Sequence, residues 1–302
     1  MNAFIALDVG GTQIKSAILT DGGLSPVYKD AALSQEDADT VIGNLAAIIT
    51  SRHRELHSLD HGVAGIGLAF PGPFDYDRGI SLLKGIGKYD SIYGLDLRAR
   101  LSEACRLPQK LFAFQNDADL FCLGEAAFGQ GKGFERAMMI CIGTGLGSGF
   151  VENGRLVKSG PRVPENGWVY SLPYREGIVD QYLSATGLGN MIRESGCFVP
   201  GVTVKDVAEL AWQGHPQAKE IFAQFGRRLE EVIQPLAQRF GAQVLVVGGQ
   251  VAKSGSLFCQ GLEQALKRLG IELRLSPNSS ASAMRAMPLL FPGPATKEDS
   301  YA

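Results

Sequence analysis

The chain has 302 residues, 45% of them hydrophobic and 20% charged, which is enough for one large or two medium cores, and we expect two domains. A formal net charge of -2 with scattered Lys and Arg residues argues against nucleic acid as a partner and favours a small, uncharged or anionic one. No basic segment leads into an apolar signal and no apolar run has membrane-spanning length, which predicts a soluble, cytoplasmic protein without a membrane partner.

The chain opens with a predicted strand, a glycine turn and a second strand. The strands are residues 4–8 and 14–19, and the turn is Gly10-Gly11-Thr12. Paired glycines let backbone N–H groups approach an anion closely, Thr12 adds a hydroxyl donor, and Asp8 can hold Mg²⁺ through water. The turn is therefore a candidate phosphate site, with a plain β-meander as the alternative.

Alternating helices and strands follow and predict an α/β first lobe. Residues 35–56 and 95–105 are predicted helices, and residues 63–70 are a buried strand that ends at Pro71-Gly72-Pro73. Residues 111–114 form the next strand, which leads into Asn116-Asp117 and a predicted helix, Asp117–Phe128. This arrangement places a carboxylate where a strand ends.

A second glycine turn comes one helix after Asp117. Residues 139–142 and 146–151 are predicted strands joined by Gly143-Thr144-Gly145. A carboxylate and a backbone cradle for phosphate together favour phosphoryl transfer, although Asp117 could merely cap the helix and the glycines merely form a hairpin. Because the same pattern occurs twice, about half a chain apart, we expect two related lobes with a cleft between them.

The remainder of the chain is predicted to be mostly helical. Residues 161–175 are rich in Pro and Gly and carry Glu165, and Asp180 opens the helix that follows. An apolar strand, residues 244–247, runs into Gly248-Gly249, a turn suited to adenine or its ribose, or needed only for backbone geometry. The predicted helices are 178–195, 204–212, 216–240, 254–269 and 280–291, residues 271–275 form a strand, and residues 292–302 form a mobile polar tail.

Several other classes lack their sequence signatures here. The five cysteines lie far apart and form no Cys-x-x-Cys pair, so neither a disulfide framework nor a zinc knuckle is indicated. The sequence contains no P-loop and no intact dinucleotide fingerprint. Phosphate binding is therefore predicted at turns between antiparallel strands and not at the start of a helix.

Five motifs, in order, resemble the ROK (repressor, open reading frame, kinase) sugar kinases of the actin-like, hexokinase-type ATPase superfamily. Each motif is weak by itself, but the ordered set is specific and covers nearly the whole chain. The motifs are Asp8-Val9-Gly10-Gly11-Thr12-Gln13-Ile14-Lys15, Gly65-Ile66-Gly67 with Pro71-Gly72-Pro73, Asn116-Asp117-Ala118-Asp119 with Leu123-Gly124-Glu125, Gly143-Thr144-Gly145-Leu146-Gly147-Ser148-Gly149 with Asn153-Gly154, and Val247-Gly248-Gly249.

The resemblance implies a two-lobed actin-like ATPase (ribonuclease H-like) α/β fold with a central cleft, and ATP-dependent, Mg²⁺-dependent phosphorylation of a hexose or hexose derivative. Asp117 is the implied base that accepts the proton of the attacked hydroxyl. The implied sugar contacts are Gly72, Asn116, Glu165, Trp168 and Asp180. The implied ATP contacts are Asp8, Gly10, Gly11, Thr12, Lys15, Gly143, Thr144, Gly145, Gly248 and Gly249.

The resemblance also indicates the lobes and the assembly. We expect residues 1–116, completed by the helix at about 280–291, to form a small lobe and residues 117–279 to form a large one. Members of the family often form dimers, which implies a homodimer. A helix-turn-helix domain, present in the family's repressors, is not expected because the phosphate motif starts at residue 8.

Two segments depart from the family pattern. Where the family has Glu-x-Gly-His, this chain has Glu165-Asn166-Gly167-Trp168, and the family's Gly-Cys-x-Glu is replaced by Gly177-Ile178-Val179-Asp180. No structural zinc is therefore expected. Trp168 can present an apolar face to a sugar but lacks the acceptor and metal-binding nitrogen of His.

These departures leave two alternatives to a sugar kinase open. Trp168 and the missing zinc motif favour a sugar-binding regulatory protein that has kept the fold and lost turnover. Asp8, the first glycine turn and Asp117 oppose that interpretation. The other alternative is an actin-like kinase with a substrate other than a sugar.

Overall fold

The structure is a computed structural model that describes residues 2–291, with only the backbone of Asn2. The predicted polar tail, residues 292–302, lies outside the described residues. Two compact units are present: one runs to Gly124 and resumes at Ser280, and the other is Glu125–Ser279.

A six-stranded mixed sheet forms the first unit. Its strands are β1 (Asn2–Val9), β2 (Gln13–Thr20), β3 (Gly23–Leu24), β4 (Tyr28–Ala31), β5 (Gly62–Phe70) and β8 (Phe112–Asn116), with a separate hairpin of β6 (Phe74–Asp75) and β7 (Ile80–Ser81). The order is β3-β2-β1-β5-β8, and β4 pairs with β2. Because β1 pairs antiparallel with β2 but parallel with β5 and, through it, β8, the sheet joins a hairpin to two parallel strands.

This unit contains α1 (Ala38–Ser58), α2 (Leu97–Cys105) and the first part of α3 (Asp117–Phe128), as well as a helix near the end of the described chain. Asp37 caps α1 by accepting a hydrogen bond from the Thr40 N–H at 2.9 Å. Buried residues of α1, including Leu45 and Ile49, share a core with sheet residues such as Ile5 and Leu68. This core fixes the end of β8, where Asn116 and Asp117 lie.

Glycines of the Gly65-Ile66-Gly67 motif make room for side chains near the end of the described chain. A methyl group on Gly65 would lie 2.5 Å from the ring of Phe291, and one on Gly67 would lie 2.5 Å from the sulfur of Met287. Both residues follow α8 (Ser279–Ala286), which belongs to the first unit from Ser280 onward. These two motif glycines therefore have a packing reason in the structure.

The second unit repeats the strand arrangement of the first. Its sheet has the order β11-β10-β9-β14-β15 and comprises β9 (Arg136–Ile142), β10 (Leu146–Glu152), β11 (Arg155–Leu156), β14 (Val244–Gly248) and β15 (Glu272–Leu275), while β12 (Pro173–Tyr174) and β13 (Gly177–Ile178) form a separate pair. β9 pairs antiparallel with β10 and parallel with β14, which pairs in parallel with β15. The repeat expected from the two glycine turns is thus present in the sheets.

Four helices of the second unit are α4 (Ala185–Glu194), α5 (Val204–Trp212), α6 (Pro216–Phe240) and α7 (Gln260–Arg268). α6 begins at Pro216, whose missing N–H is not needed in a first turn, and ends at Phe240, where it is capped by Gly241 with φ 71°. Its buried face, which includes Phe222 and Ile233, packs in one core with strands such as β14. The predicted bounds of α5 and α6 are confirmed.

Five predicted helices have different bounds in the structure. Those predicted at 35–56 and 95–105 are α1 and α2, whose bounds differ by at most three residues. The other three differ more. The helix predicted at 178–195 starts only at Ala185, because Ser184 caps it by accepting from the Gly187 N–H. The helix predicted at 254–269 is a 3₁₀ segment, Val251–Leu257, followed by α7. The helix predicted at 280–291 ends as α8 at Ala286, and a 3₁₀ turn containing Pro288 follows.

Candidate active site

The first glycine turn is closed by its own backbone. The Gly10 N–H donates to the Gln13 carbonyl at 3.1 Å, and a methyl group on Gly10 would lie 2.8 Å from that oxygen. Side chains fix the turn from outside: the Tyr89 hydroxyl donates to the Gly10 carbonyl at 2.8 Å and the Ser34 hydroxyl to the Gly11 carbonyl at 2.5 Å. Because these carbonyls and the Gly10 N–H are hydrogen-bonded, the turn is a rigid element, and its glycine donor for an anion is the Gly11 N–H.

Asp8 and Lys15 face each other across β1 and β2. They are register partners in the hairpin, and Lys15 Nζ lies 3.5 Å from Asp8 Oδ2. Lys15 Nζ also donates to the Ser280 hydroxyl at 2.5 Å. The ammonium of Lys15 is therefore held between a carboxylate and a hydroxyl at the edge of the turn.

Asn116 caps α3. Its Oδ1 accepts from the N–H groups of Ala118 and Asp119 at 3.0 and 3.2 Å, and its Nδ2 donates to the Tyr76 hydroxyl at 3.2 Å. Tyr76 in turn donates to the Phe70 carbonyl at 3.0 Å. Asp117 Oδ1 also accepts from the Ala118 N–H, at 2.9 Å, so Asn116 and Asp117 share the first turn of α3.

Asp117 is a weaker acid than an ordinary carboxyl group. Reduced hydration among the surrounding protein atoms and the negative charge of Asp8 raise its pKa to about 6, against the opposing effects of the Ala118 N–H and of Lys88. Part of the side chain remains open to solvent, so the loss of hydration is incomplete. A carboxylate that titrates near neutral pH suits a general base.

The predicted sugar-side turn adjoins the same network. A methyl group on Gly72 would lie 3.2 Å from the Tyr76 hydroxyl, the group that receives the Asn116 amide. The first unit therefore brings together Gly72, Asn116, Asp117, Asp8 and the first glycine turn. Tyr76, Lys88 and Tyr89 belong to this site but were missed from sequence, since no motif marks them and their partners are far away in the chain.

The second glycine turn is supported by Asp180. Its Oδ1 accepts from the Leu146 N–H at 2.6 Å, and a methyl group on Gly145 would lie 3.1 Å from the same oxygen. Gly143 N–H donates to the Gly145 carbonyl at 2.9 Å, which closes the turn. The Thr186 hydroxyl donates to the Thr144 carbonyl at 3.0 Å. Asp180, which sequence predicted as a sugar contact, thus has one carboxylate oxygen on the turn.

Glu165 begins a 3₁₀ turn, Glu165–Gly167, that is fixed to β10, and Trp168 directly follows this turn. The Ser148 hydroxyl donates to the Gly167 carbonyl at 2.7 Å and accepts from the Val169 N–H at 3.0 Å. Both predicted sugar contacts are exposed, and the Trp168 ring lies 5.7 Å from the Tyr170 ring between centroids. Trp168 and Tyr170 thus form an accessible aromatic surface, and the exposed carboxylate of Glu165 comes three residues before Trp168.

The backbone geometry at position 249 requires glycine. The φ of Gly249 is 92°, and a methyl group there would lie 2.3 Å from the Ile142 carbonyl at the end of β9. Its N–H donates to the Ser279 hydroxyl at 2.7 Å. The interpretation of Gly248-Gly249 as a turn needed for backbone geometry is therefore supported at Gly249, and it leaves room for a nucleoside role as well.

Two features are absent from residues 2–291. No helix in this part of the chain is both long and apolar enough to cross a membrane. Within the same residues, no group of three or more His, Cys, Asp and Glu side chains is arranged to hold a metal ion. Mg²⁺ bound to nucleotide takes most of its ligands from water and phosphate, so a single carboxylate such as Asp8 fits it.

The fold, the two glycine turns and Asp117 together indicate the protein family to which the chain belongs. The model of the ROK family matches residues 4–277, and the chain belongs to that family, as its motifs predicted. A glucokinase of Halalkalibacterium halodurans is 28% identical over 309 residues, which cover 90% of each chain.

Solved structures confirm the predicted actin-like α/β fold. A ROK family glucokinase from Streptomyces griseus, in complex with glucose and AMPPNP, is 21% identical with a TM-score of 0.76 over 95% of this chain and 99% of the other. A ROK family transcriptional regulator is 20% identical with a TM-score of 0.77 over 95% and 78%. At these identities the likeness concerns the fold alone, which kinases and regulators share.

Proposed function

We propose that the protein transfers the γ-phosphoryl group of ATP to a hydroxyl group of a hexose or hexose derivative. The observation that carries the proposal is Asp117, a carboxylate with a pKa near 6 in the same unit as a rigid glycine turn. Membership of the ROK family and similarity to a named glucokinase support the choice of a sugar as acceptor.

Asp117 acts as the general base in the proposed reaction. It accepts the proton of the sugar hydroxyl while the oxygen forms a bond to the γ-phosphorus. The bond from that phosphorus to the bridging oxygen breaks, and its electron pair leaves with ADP. General-base assistance of this kind contributes about 10²–10⁴ in rate, and positioning supplies much of the rest.

The remaining roles follow from position. Gly11 and Thr12 bind phosphate through N–H and hydroxyl donors, next to Gly10, whose own N–H closes the turn. Thr144 and Gly145 do so in the second unit, next to Gly143, whose N–H closes the second turn. Asp8 would hold Mg²⁺ through water when nucleotide is bound, and the ion would neutralise phosphate charge. Lys15 keeps Asp8 in place, and Gly248 and Gly249 lie beside the nucleoside.

The sugar is bound through hydroxyl and ring contacts in this proposal. Asn116 and the Gly72 turn contact sugar hydroxyls in the first unit, while Glu165 and Trp168 supply a carboxylate and an aromatic face in the second. Asp180 combines support of the second glycine turn with a contact from its other oxygen. We further propose that the protein is a homodimer in the cytoplasm, which light scattering and fractionation test.

One assay tests the activity. ADP release from Mg-ATP is followed with a panel of hexoses, N-acylhexosamines and β-glucosides, with Asp117→Asn as the matched inactive variant. We expect release that depends on one class of sugar and is nearly abolished in the variant. Release without sugar would indicate a non-sugar substrate, and no release with any sugar would contradict the kinase proposal.

A sugar-binding regulator is the second candidate. Trp168 stands where the family pattern has His, and the fold is as similar to a ROK regulator as to a kinase. Calorimetry with the same sugars separates the two, since a regulator binds sugar without ADP release. The family's fold allows both, so turnover decides between them.

A further inference from the structure

Lys88 packs against the first glycine turn. It is half-buried on the loop between β7 and α2, and a methyl group on Gly11 would lie 2.9 Å from its Cδ and 3.8 Å from its Cβ. The shorter distance is below the usual separation of two carbon atoms in contact. The missing side chain of Gly11 therefore makes room for the stem of Lys88.

The neighbouring residue, Tyr89, fixes this part of the loop on the turn. Tyr89 is fully buried, its hydroxyl donates to the Gly10 carbonyl at 2.8 Å, and its N–H donates to the Ser34 carbonyl at 2.6 Å. Ser34 donates in turn to the Gly11 carbonyl at 2.5 Å. The buried ring of Tyr89 and these three hydrogen bonds, made by Tyr89 and Ser34, thus hold Lys88 beside the turn.

The charges around the turn distinguish Lys88 from Lys15. Lys15 Nζ donates to the Ser280 hydroxyl and lies 3.5 Å from Asp8, so its charge is already countered by a carboxylate. The positive charge of Lys88 acts on Asp117 and lowers its pKa, although burial and the charge of Asp8 raise that pKa by more. Lys88 therefore places a cation near both the turn and the base.

We propose that Nζ of Lys88 binds the γ-phosphoryl group of ATP at the first glycine turn. The inference rests on the proposed kinase function. The γ-phosphoryl carries negative charge on its oxygens throughout transfer, and a lysine beside it acts as a point charge that stabilises them. Lys88 thereby binds the γ-phosphoryl group together with the donors of the turn, while Asp117 deprotonates the hydroxyl that attacks this group.

Nucleotide affinity tests the contact without turnover. AMPPNP and ADP are titrated by calorimetry into the wild type, Lys88→Met and Lys88→Arg, with Mg²⁺ present. Lys88→Met keeps the stem but loses the charge, so we expect AMPPNP affinity to fall about 10- to 100-fold and ADP affinity to stay within about 2-fold. Lys88→Arg keeps much of the AMPPNP affinity. Equal changes for the two nucleotides, or none, would overturn the inference.

A control on the same loop is Lys84→Met. Lys84 is exposed, and its ammonium lies over the ring of Tyr93 at 5.0 Å from the centroid. Removing this charge should leave both affinities and kcat unchanged. A similar loss in Lys84→Met and Lys88→Met would assign the effect to loop charge in general and overturn the specific contact.

Turnover gives the second measurement. In Lys88→Met we expect kcat to fall about 10²- to 10³-fold with the KM for sugar within about 3-fold, the loss that removal of one charge-stabilising donor causes. If the wild type phosphorylates sugar and this variant retains its kcat, the inference fails and the proposed function stands. If the wild type phosphorylates no sugar, the function fails, and the AMPPNP and ADP affinities still decide whether Lys88 binds the phosphate.

Discussion

The side-chain amide of Asn116 donates a hydrogen bond to the hydroxyl of Tyr76, with 3.2 Å between Nδ2 and the hydroxyl oxygen. This bond fixes which end of the amide faces α3, so that Oδ1 can cap the helix that starts at Asp117. Tyr76 is held by the Phe70 carbonyl, and burial raises the pKa of its hydroxyl. The orientation of the proposed base thus depends on a residue of the β6 to β7 segment.

Tyr76→Phe tests that dependence. The substitution removes two hydrogen bonds, so we expect a loss of about 1–2 kcal/mol in the free energy of unfolding. Each kcal/mol lowers Tm by about 2–4 °C in a unit of this size. The KM for sugar should rise several-fold, whereas the KM for ATP should not. Tyr93→Phe, on an exposed ring of the same unit, is the control, and equal kinetics in both variants would contradict the role of Tyr76.

Asp117→Asn should lower activity and raise stability. Loss of the base lowers kcat by about 10²–10⁴. The folded-state pKa of Asp117 lies above its unfolded value, so the folded state holds the proton more tightly, and the ionised carboxylate destabilises the fold as pH rises through about 6. Because the side chain is partly exposed, we expect Tm to rise by only about 1–3 °C at pH 7.5, and not at pH 4. An equal rise at both pH values would show another cause.

The pH profile of kcat/KM for sugar should report the same group, because kcat/KM reflects the pKa values of the enzyme without substrate. Activity requires the ionised form of Asp117, so kcat/KM should fall below about pH 6, tenfold for each pH unit. Lys88 lowers this pKa, and therefore Lys88→Met should move the acidic limb to higher pH. Lys84→Met should leave the limb in place. A limb that does not move in Lys88→Met would show that its charge does not act on the base.

Asp180 offers a comparison between two substitutions. Asp180→Asn keeps an oxygen that accepts from the Leu146 N–H, whereas Asp180→Ala does not. If support of the second glycine turn is its main role, the KM for ATP should rise several-fold in Asp180→Ala and little in Asp180→Asn. A rise in the KM for sugar in both variants, without change for ATP, would instead assign the residue to the sugar.

Zinc content checks the expectation drawn from Trp168 and the segment 177–180. Trp has no metal-binding nitrogen, and Ile178 stands where the family motif has Cys. We expect elemental analysis of the purified protein to find less than about 0.1 zinc per chain, against about one for a closed structural site. Near-equimolar zinc that resists dialysis against chelator would contradict this expectation.

Sequence alone determined the family, the fold class and the two glycine turns. These features are local: a strand, a Gly/Thr turn and a returning strand are encoded within about ten residues by alternation and by backbone freedom at glycine. The ends of α4, α7 and α8 were less well predicted, because a cap such as Ser184 and a 3₁₀ turn compete with helical apolar spacing over only a few residues.

Only the tertiary structure decided which groups meet at the site. Tyr76 reaches Asn116, Lys88 covers Gly11, and Asp180 lies under Gly145, and each pair is separated by tens of residues in the chain. Such contacts depend on how loops pack against strand ends, and periodicity within one segment carries no information about them. The sequence located the proposed base and turns, whereas packing determined what orients Asp117 and which lysine lies beside the phosphate turn.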